Sequence, residues 1–477
     1  MTTSMRKALE AFKSEYQRWL REHPEDVLEV DALDELIHQV RVELGAFTME
    51  ATVQEAVHLG LAHERVCPCG GTLEIHRRPK LQVHSMQGDY EAQGVALRCP
   101  DCGLTKRPAH DLLGIESYSR TTQRFDRLAA DFFLDKGAVS AVQRFQEHHG
   151  IEPGRTTVLR HVEARGQQAR EFVDHKLAQA TAEAETKRGQ EPKVEAVFAQ
   201  MDASSGKTVA PLSRPDVPAD ADVERTPVRG LPKVKRPIEG RQVKLLCTQP
   251  QGAADWVYDA YIGEYDEAPA KLVGLAAACG WQDGVHVVMT ADGDDKIREC
   301  AEGAFQPNLQ MVLDQQHALS HLHDVVTYGK EAVPEAPGTD WVSAALQQLC
   351  CGQVRNVVAE VQAMVPAVSD PKNRQKVENV ATYFHNRADS VHYDELKAHG
   401  WPIASGAVEG GHIHIMHPIT KRGSGWLVPN LNGVIALACV RHSGWWDEFW
   451  QWVRSEAEPC PAASPAPSEA EAGTAAA

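Results

Sequence analysis

The sequence predicts an α+β protein of several domains, and three observations carry that prediction. Helical periodicity dominates the first 62 residues, a segment with paired cysteines and many turn residues follows, and short β-rich runs separated by helices begin at Val194. The chain has 477 residues, room for about three domains at ~150 residues each. Its 43% hydrophobic and 24% charged residues are ordinary globular usage, which excludes a collagen-like or wholly disordered chain.

Taken in order, Leu9, Phe12, Tyr16 and Leu20 recur at helical spacing, and a second periodic run covers Val27 to Leu44, so residues 1–62 read as a helical N-terminal region. Residues 63–113 change character, with β-prone Leu81 to Val83 and Val95 to Arg98 among turns, as in a small zinc-ribbon-like domain. Residues 117–187 return to helix: 121–135 and 138–148, then a Gly150, Pro153, Gly154 turn and a long run from Thr156. A charged linker at 183–192 ends in Pro192. The runs 194–199, 243–248, 256–263, 285–291 and 311–314 then read as strands, with a helix from Pro269 to Cys279, in the order β-β-β-α-β-α-β. Helices fill about 319–398, an insertion within a domain spanning 193–454, and the Ala-, Pro-, Ser- and Glu-rich tail at 455–477 is expected to be disordered.

Apolar runs fall far short of the ~20 residues that span a bilayer, and the N-terminus has no continuous apolar stretch of a secretory signal, so a cytoplasmic protein with no membrane partner is expected. The net charge of −17 argues at first against nucleic acid. It is unevenly spread: residues 1–62 hold twelve acidic and six basic residues, and 455–477 hold four acidic and none basic. Residues 225–244, by contrast, carry seven basic residues (Arg225, Arg229, Lys233, Lys235, Arg236, Arg241, Lys244) against Glu239 alone. That run is read as meeting a phosphate backbone.

Of the eleven cysteines, seven (Cys247, Cys279, Cys300, Cys350, Cys351, Cys439, Cys460) are scattered and read as reduced core thiols. The other four form pairs, Cys67-Pro-Cys69 and Cys99-Pro-Asp-Cys102, each followed by a glycine. Two tight turns facing each other suit tetrahedral structural Zn²⁺, with four protein ligands leaving no open position. The helices of 121–165 fit a helix-turn-helix, with Thr156, Thr157, Arg160 and His161 opening a helix that faces a DNA groove, or else an ordinary helical bundle. Asp202 ends the first strand and Asp292 the fourth; with those strands adjacent, two carboxylates meet at one edge of the sheet. Such a pair binds two divalent ions about 4 Å apart for phosphoryl transfer, and Glu409 is the candidate third carboxylate. Asp294 and Asp295 compete for the second position.

The segments VFAQMDAS, VMTADGDDKI, MVLDQQHALSHL, YFHNRADSVHYDELKAHGWPIASGAVEG and ALACVRHSGWWDEFW resemble the ISKra-type insertion-sequence transposases, a DDE family, from residue 67 to Trp450. The resemblance implies an RNase H-like catalytic domain. It places the three catalytic acids, which hold two Mg²⁺ (or Mn²⁺), on Asp202, Asp292 and Glu409. It also implies an auxiliary role for Asp314 and His317, the Asp-x-x-His motif shared with Mutator-like transposases. Double-stranded DNA, both terminal inverted repeats and target, is the implied partner; the helix-turn-helix reading sets Thr156, Thr157 and Arg160 against it, the basic run Arg229, Lys233, Lys235 and Arg236, and the resemblance adds Lys421 and Arg422. A homodimer or larger assembly would synapse two ends.

The chain departs from the family pattern in places. Met201-Asp202-Ala203 replaces Asp-Gly, and Gly410 and Gly411 follow Glu409, at a cost of about 1 kcal/mol each in a helix interior. The Glu-bearing helix is therefore expected to be weakened or to start differently. His412, His414 and His417 come next and read as surface or phosphate-facing residues, and Lys421 to Trp426 only approximates the family's basic stretch. Trp401, Trp426, Trp445, Trp446 and Trp450 read mostly as core, and Trp426 alone has a second reading, stacking on an unpaired end base. Two other classes fit the same features: a structure-selective nuclease of the same fold, and a DNA-binding protein without catalysis.

Overall fold

The computed structural model describes residues 3–26, 29–63, 65–115, 121–210, 224–228, 231–233, 237–333, 340–421 and 425–457. The chain divides into two compact units, residues 1–133 with 138–158, and residues 134–137 with 159–477. Among the described residues, no helix is long and apolar enough to cross a membrane.

The first unit opens with α1 (Thr3–Glu22) and α2 (Val30–His63). The helical periodicity of the second run ends at Leu44, but α2 is 34 residues long and reaches His63. Five short strands follow: β1 (Glu74–Arg77), β2 (Lys80–Ser85), β3 (Gly88–Gln93), β4 (Ala96–Arg98) and β5 (Thr105–Lys106). They form an antiparallel sheet in the order β1-β4-β5 and a β2–β3 hairpin. Along β2, Leu81 and Val83 are buried while Gln82 and His84 are less so, the alternation of a strand with one face on a core. That core gathers Val53 and Val57 of α2 with Leu73, Tyr90 and Leu97.

After α3 (Pro108–Leu113) comes α4 (Gln123–His149), whose N-cap Thr122 accepts a hydrogen bond from the Phe125 N–H. Gly137, at φ 81°, breaks the helix where the sequence separates 121–135 from 138–148. The long helix α5 (Arg155–Thr186) begins one residue before the expected Thr156.

The second unit is built on β6 (Ala196–Val209), β7 (Glu224–Val228), β8 (Leu231–Lys233), β9 (Ile238–Pro250), β10 (Val257–Tyr261), β11 (His286–Ala291) and β12 (Leu309–Leu313). Helices α6 (Ala268–Ala278) and α7 (Asp295–Phe305) separate the last three. Five of these strands make a mixed sheet in the order β10-β9-β6-β11-β12, with β7 and β8 paired as a separate ribbon. Pairing is antiparallel from β10 through β9 to β6, and parallel from β6 through β11 to β12. The chain is thus mixed α+β, as expected.

The first two long strands exceed the apolar runs that announce them. The arms of β6 and β9 stay paired from Val197↔Pro250 to Val209↔Ile238, so polar Ser204, Ser205, Gln242 and Arg241 extend the backbone ladder, and the Thr208 hydroxyl adds a bond to the Glu239 carbonyl at 3.2 Å. In β11, Val287, Val288 and Met289 are all fully buried, which explains a continuous apolar run instead of alternation: both faces of the sheet are covered. One cover is the helical insertion, α8 (Gln315–Gly329), α9 (Trp341–Cys350), α10 (Val354–Met364), α11 (Pro371–Asn386) and α12 (Tyr393–Ala398). It packs Leu322, Val357, Val361 and Phe384 against Ala196, Phe198, Val288 and Val312 of the strands.

Then come α13 (Gly406–Gly411), one π-helical turn (His412–Met416), α14 (His417–Thr420), α15 (Val428–His442) and α16 (Trp446–Ala457). The expected disorder from residue 455 is corrected at its start, since α16 runs to Ala457; residues 458–477, Cys460 included, lie outside the described residues.

Candidate active site and cysteine cluster

The parallel register decides where the acids fall. Thr290 pairs with Gln200, and Ala291 with Leu313. Extending each ladder by a residue or two puts Asp202, Asp292 and Asp314 at one level across three adjacent strands. Side chains alternate with a period of two, so Asp202 and Asp292 share the face that carries Ala196, Phe198, Val288 and Val312. Neighbouring strands lie about 4.8 Å apart, which sets these two carboxylates side by side; Asp292 directly follows β11, but Asp202, expected at a strand end, lies within β6 and is paired with Leu245.

Local bonds separate the competing acids. Asp294 caps α7, accepting from the Lys296 N–H at 2.7 Å, and Asp295 pairs with Arg387 at 2.8 Å. Asp292 is left as the acid of the strand end, with Oδ1 accepting from the Asp294 N–H at 2.9 Å. The insertion braces this loop: the Tyr383 hydroxyl donates to the Asp292 carbonyl at 2.6 Å, and Arg387 Nε to the Gly293 carbonyl at 2.7 Å.

Two side chains hold α13 against the same face. Gln200 accepts from the Val408 N–H at 2.9 Å and donates to the Ala404 carbonyl at 3.1 Å. Asp314, 2% exposed, accepts from both the backbone and the hydroxyl of Ser405, while its other oxygen accepts from the His317 N–H at 2.8 Å. Burial pushes the Asp314 carboxyl up, but these donors outweigh it and hold the group below its ordinary value. With both oxygens engaged, Asp314 acts as the clamp that positions the approach to Glu409, and the His317 ring lies 3.2 Å from it.

The Gly410-Gly411 departure has a physical reason at one position. A Cβ on Gly411 would meet Leu245 at 2.8 Å and the Tyr258 ring at 3.2 Å, so glycine allows α13 to approach β9 closely; Gly410 faces open space. The helix begins at Gly406, ahead of Glu409, and runs through both glycines into the π turn.

That approach places His412, which corrects the expectation of a surface residue. His412 is 6% exposed, and its Nε2 lies 2.9 Å from Asp202 Oδ2. His414 remains exposed and His417 half-buried. Burial pushes the Asp202 carboxyl up, yet the adjacent His412 and the Ala203 N–H at 2.6 Å outweigh it and hold the group below its usual value. The signal for His412 was in the sequence: Glu409 and His412 stand at i and i+3, one face of a helix, the spacing by which helices present a carboxylate and an imidazole together. Glu409 itself is exposed beside this face.

The cysteine quartet is already converged. Cys67 and Cys102 Sγ lie 3.5 Å apart, and Cys69 and Cys99 Sγ 3.6 Å. Zn–S bonds of about 2.3 Å give tetrahedral edges of about 3.8 Å, so the four thiols could hold a metal such as zinc. Gly70 and Gly103, at φ 89° and 76°, turn the two knuckles. Among the described residues, this is the one group of three or more potential ligands whose donor atoms all lie within 4.8 Å of one another. Asp202 and Asp292 stand at one level on adjacent strands and Glu409 is carried by the helix held to Gln200, but the three do not lie within that distance as a set. Their hard oxygens are nonetheless the donors that Mg²⁺ takes.

Other expected sites fall variously. Thr156 and Arg160 are exposed and Thr157 half-buried near the start of α5. Lys421 is exposed, Lys233 lies in β8, and Arg229, Lys235, Arg236 and Arg422 lie outside the described residues. Two expectations are corrected. Lys244 is 4% exposed and donates to the Gly263 carbonyl, because its strand position faces inward, so it meets no phosphate. Trp426 is core, as first read, and its stacking alternative is overturned: it is 9% exposed, its Nε1 donates to the Ile419 carbonyl at 3.3 Å and its backbone bridges to Thr208. Trp450 is core as expected, while Trp401, Trp445 and Trp446 are only half-buried. Cys351 is exposed and Cys350 half-buried, against the expected core positions.

No known family and no curated protein matches this chain in sequence. Among solved structures, it is similar to the Drosophila P element transposase strand transfer complex, at 10% identity and a TM-score of 0.23, over 72% of this chain and 83% of that one.

Proposed function

We propose that the protein is a DNA transposase of the DDE kind, related to the ISKra-type insertion-sequence enzymes, which cleaves the ends of its element and joins them to target DNA. The observation that carries this reading is the level of Asp202 and Asp292 on adjacent parallel strands, on one face, with the Glu409 helix laid over that face. In this reading residues 193–454 are an RNase H-like catalytic domain with a helical insertion. Residues 63–113 are a zinc-ribbon-like module, and 117–187 a helix-turn-helix-like DNA reader whose Thr156, Thr157 and Arg160 face the duplex. Arg229, Lys233, Lys235, Arg236, Lys421 and Arg422 serve the phosphate backbone, and the assembly is a homodimer or larger.

Asp202, Asp292 and Glu409 would hold two Mg²⁺ or Mn²⁺ ions. Such ions, when bound, activate an attacking oxygen and stabilise a leaving one during in-line displacement. The chain's own contribution is position. Gln200 and Asp314 fix the helix that carries Glu409, and Tyr383 and Arg387 fix the loop that carries Asp292. In the first reaction, water adds to the phosphorus at the element's end and the bond to the 3′ oxygen breaks, leaving a 3′-hydroxyl. In the second, that hydroxyl oxygen attacks a target phosphorus, and the target's own 3′ oxygen leaves with the proton.

The test is incubation of the full-length protein with DNA carrying the gene's flanking sequences and a target plasmid, with Mg²⁺ or Mn²⁺. Cleaved 3′-hydroxyl ends joined covalently to the plasmid, both lost in Asp202→Asn and Glu409→Gln with DNA binding retained, are expected. Cleavage without joining would instead make it a nuclease, and binding without cleavage a DNA-binding protein.

A further inference from the structure

The long helix α2 carries two apolar faces, and only one of them is covered. Met49, Val53 and Val57 turn towards the β1–β5 core, and Val42 lies beside Gly150 at the end of α4. On the opposite side, Val30, Leu33, Ile37, Val40, Leu44 and Phe47 recur at alternating steps of three and four. Leu33 is half-buried; the other five are exposed, Val30 at 80% and Phe47 at 71%. Single exposed apolar residues are ordinary on a protein surface, but a continuous stripe marks a contact. A mean step of 3.5 residues is the period that keeps a seam turned towards one partner helix, and three full heptads of it are the length at which the pattern signifies a coiled coil.

The seam is complementary to itself when a second copy of the chain runs antiparallel. Val30 then meets Phe47 of the second copy, Leu33 meets Leu44, and Ile37 meets Val40, so all six positions are filled and the largest side chain faces one of the smallest. At the flanks, Asp34 meets Arg41 of the second copy, twice by symmetry, and both side chains are exposed. Within its own chain the Arg41 guanidinium meets the His38 ring and the His148 carbonyl, which leaves donors for that carboxylate. The like-charge pair of this arrangement, Glu29 with Glu50, falls at the two ends. A parallel pair would instead bring Glu29 to Asp34 and Glu50 to Glu55, with no opposite charges across the seam. The exposed fractions of the six residues amount to roughly 1,200 Å² over two copies, the size of a specific interface.

We infer that α2 is a dimerisation element, pairing with α2 of a second copy of this chain as an antiparallel two-stranded coiled coil. The inference stands on this helix alone and does not need the transposase reading. To the homodimer expected there it gives a surface and a direction.

The experiment measures the mass of the full-length protein in solution without DNA, by light scattering and by sedimentation at about 20 µM. Twice the chain mass is expected for the wild type. Ile37→Glu with Leu44→Glu should raise the dimer dissociation constant by about 100-fold or more, with the circular dichroism of the chain unchanged, because like charges would face each other in the seam. Exposed charges then report the direction. Asp34→Arg should weaken the dimer by about 10-fold, and Asp34→Arg with Arg41→Asp should restore it. A monomeric wild type overturns the inference without any variant, and so does a dimer that survives the two seam glutamates, since it is made elsewhere. Asp34→Arg that tightens the dimer, by relieving Glu29, would make the pair parallel and overturn the antiparallel assignment. The DNA reaction is a separate outcome. A monomer that cleaves and joins DNA would lose this interface and keep the transposase reading, whereas a dimer of this kind without cleavage would do the reverse.

Discussion

The cysteine knuckles and the carboxylate face are two candidate metal sites built in opposite ways. At the knuckles, four sulfurs come from two short turns and already lie within 4.8 Å of one another. At the carboxylate face, each group comes from a different element: Asp202 from β6, Asp292 from the residue after β11 and Glu409 from α13. They are held near each other by Gln200, Asp314, Tyr383 and Arg387, without converging as a set. A closed set of soft ligands suits a metal that stabilises a fold, whereas dispersed hard ligands on a rigid sheet suit ions shared with a substrate.

The comparison can be broken most forcefully by stripping metal. Structural zinc sites contribute roughly 10–16 kcal/mol of apparent binding energy, so a strong zinc chelator, or Cys99→Ser, should unfold the β1–β5 region. Hydrogen exchange would show lost protection there, while the five-stranded sheet keeps its own. Protection unchanged at β1–β5 would remove the contrast between the two sites.

Next in size, Asp202→Asn should slow metal-dependent cleavage by about 10³-fold or more, about 4 kcal/mol, with the melting temperature nearly unmoved. A large fall in melting temperature would instead make Asp202 a structural residue like Asp259. That second carboxylate, fully buried in β10, pairs with Arg170 at 2.7 Å and with Lys271 at 3.4 Å. Asp259→Ala should cost roughly 3–5 kcal/mol of stability, measured by denaturant unfolding, because it removes the fully buried partner of two cations and leaves Asp174 as the carboxylate they share.

Burial pushes the Asp259 carboxyl up, but Arg170 and Lys271 outweigh it, so its folded pKa lies below the ordinary value. Its stabilisation is therefore complete above the unfolded pKa of about 3.9 and is lost as pH falls from there through the folded value. Acid unfolding should be flatter in Asp259→Asn than in the wild type.

The smallest effects separate the two glycines. Gly411→Ala should destabilise by about 1–3 kcal/mol through overpacking on Leu245 and Tyr258. Gly410→Ala, in open space on the same helix, should stabilise by about 0.5–1 kcal/mol. Equal effects at both would mean that close approach does not position His412.

The two regions also differ in how far the sequence discloses them. The knuckles are local, so paired cysteines with following glycines are enough to read them. Asp202 and Asp292 were legible because each ends an apolar β-run, and strand adjacency does the rest. Gln200, Ser405 and Gly411 were not, because a lone glutamine in a strand, a serine in a loop and a glycine in a helix acquire meaning only from what crosses them. His412 could have been found from its i, i+3 relation to Glu409, but clustered with His414 and His417 it resembled a surface run. Lys244 went astray for a related reason: a basic run was read from composition, while strand register turned this lysine inward, and a bridge to Thr208 with a bond to Ile419 buried Trp426.

The most direct test of the account is anomalous diffraction from crystals of the full-length protein grown with Mn²⁺. The account predicts manganese at Asp202 and Asp292, in two positions about 4 Å apart, with zinc at the cysteine quartet. Zinc at the quartet and no manganese at Asp202 would contradict it.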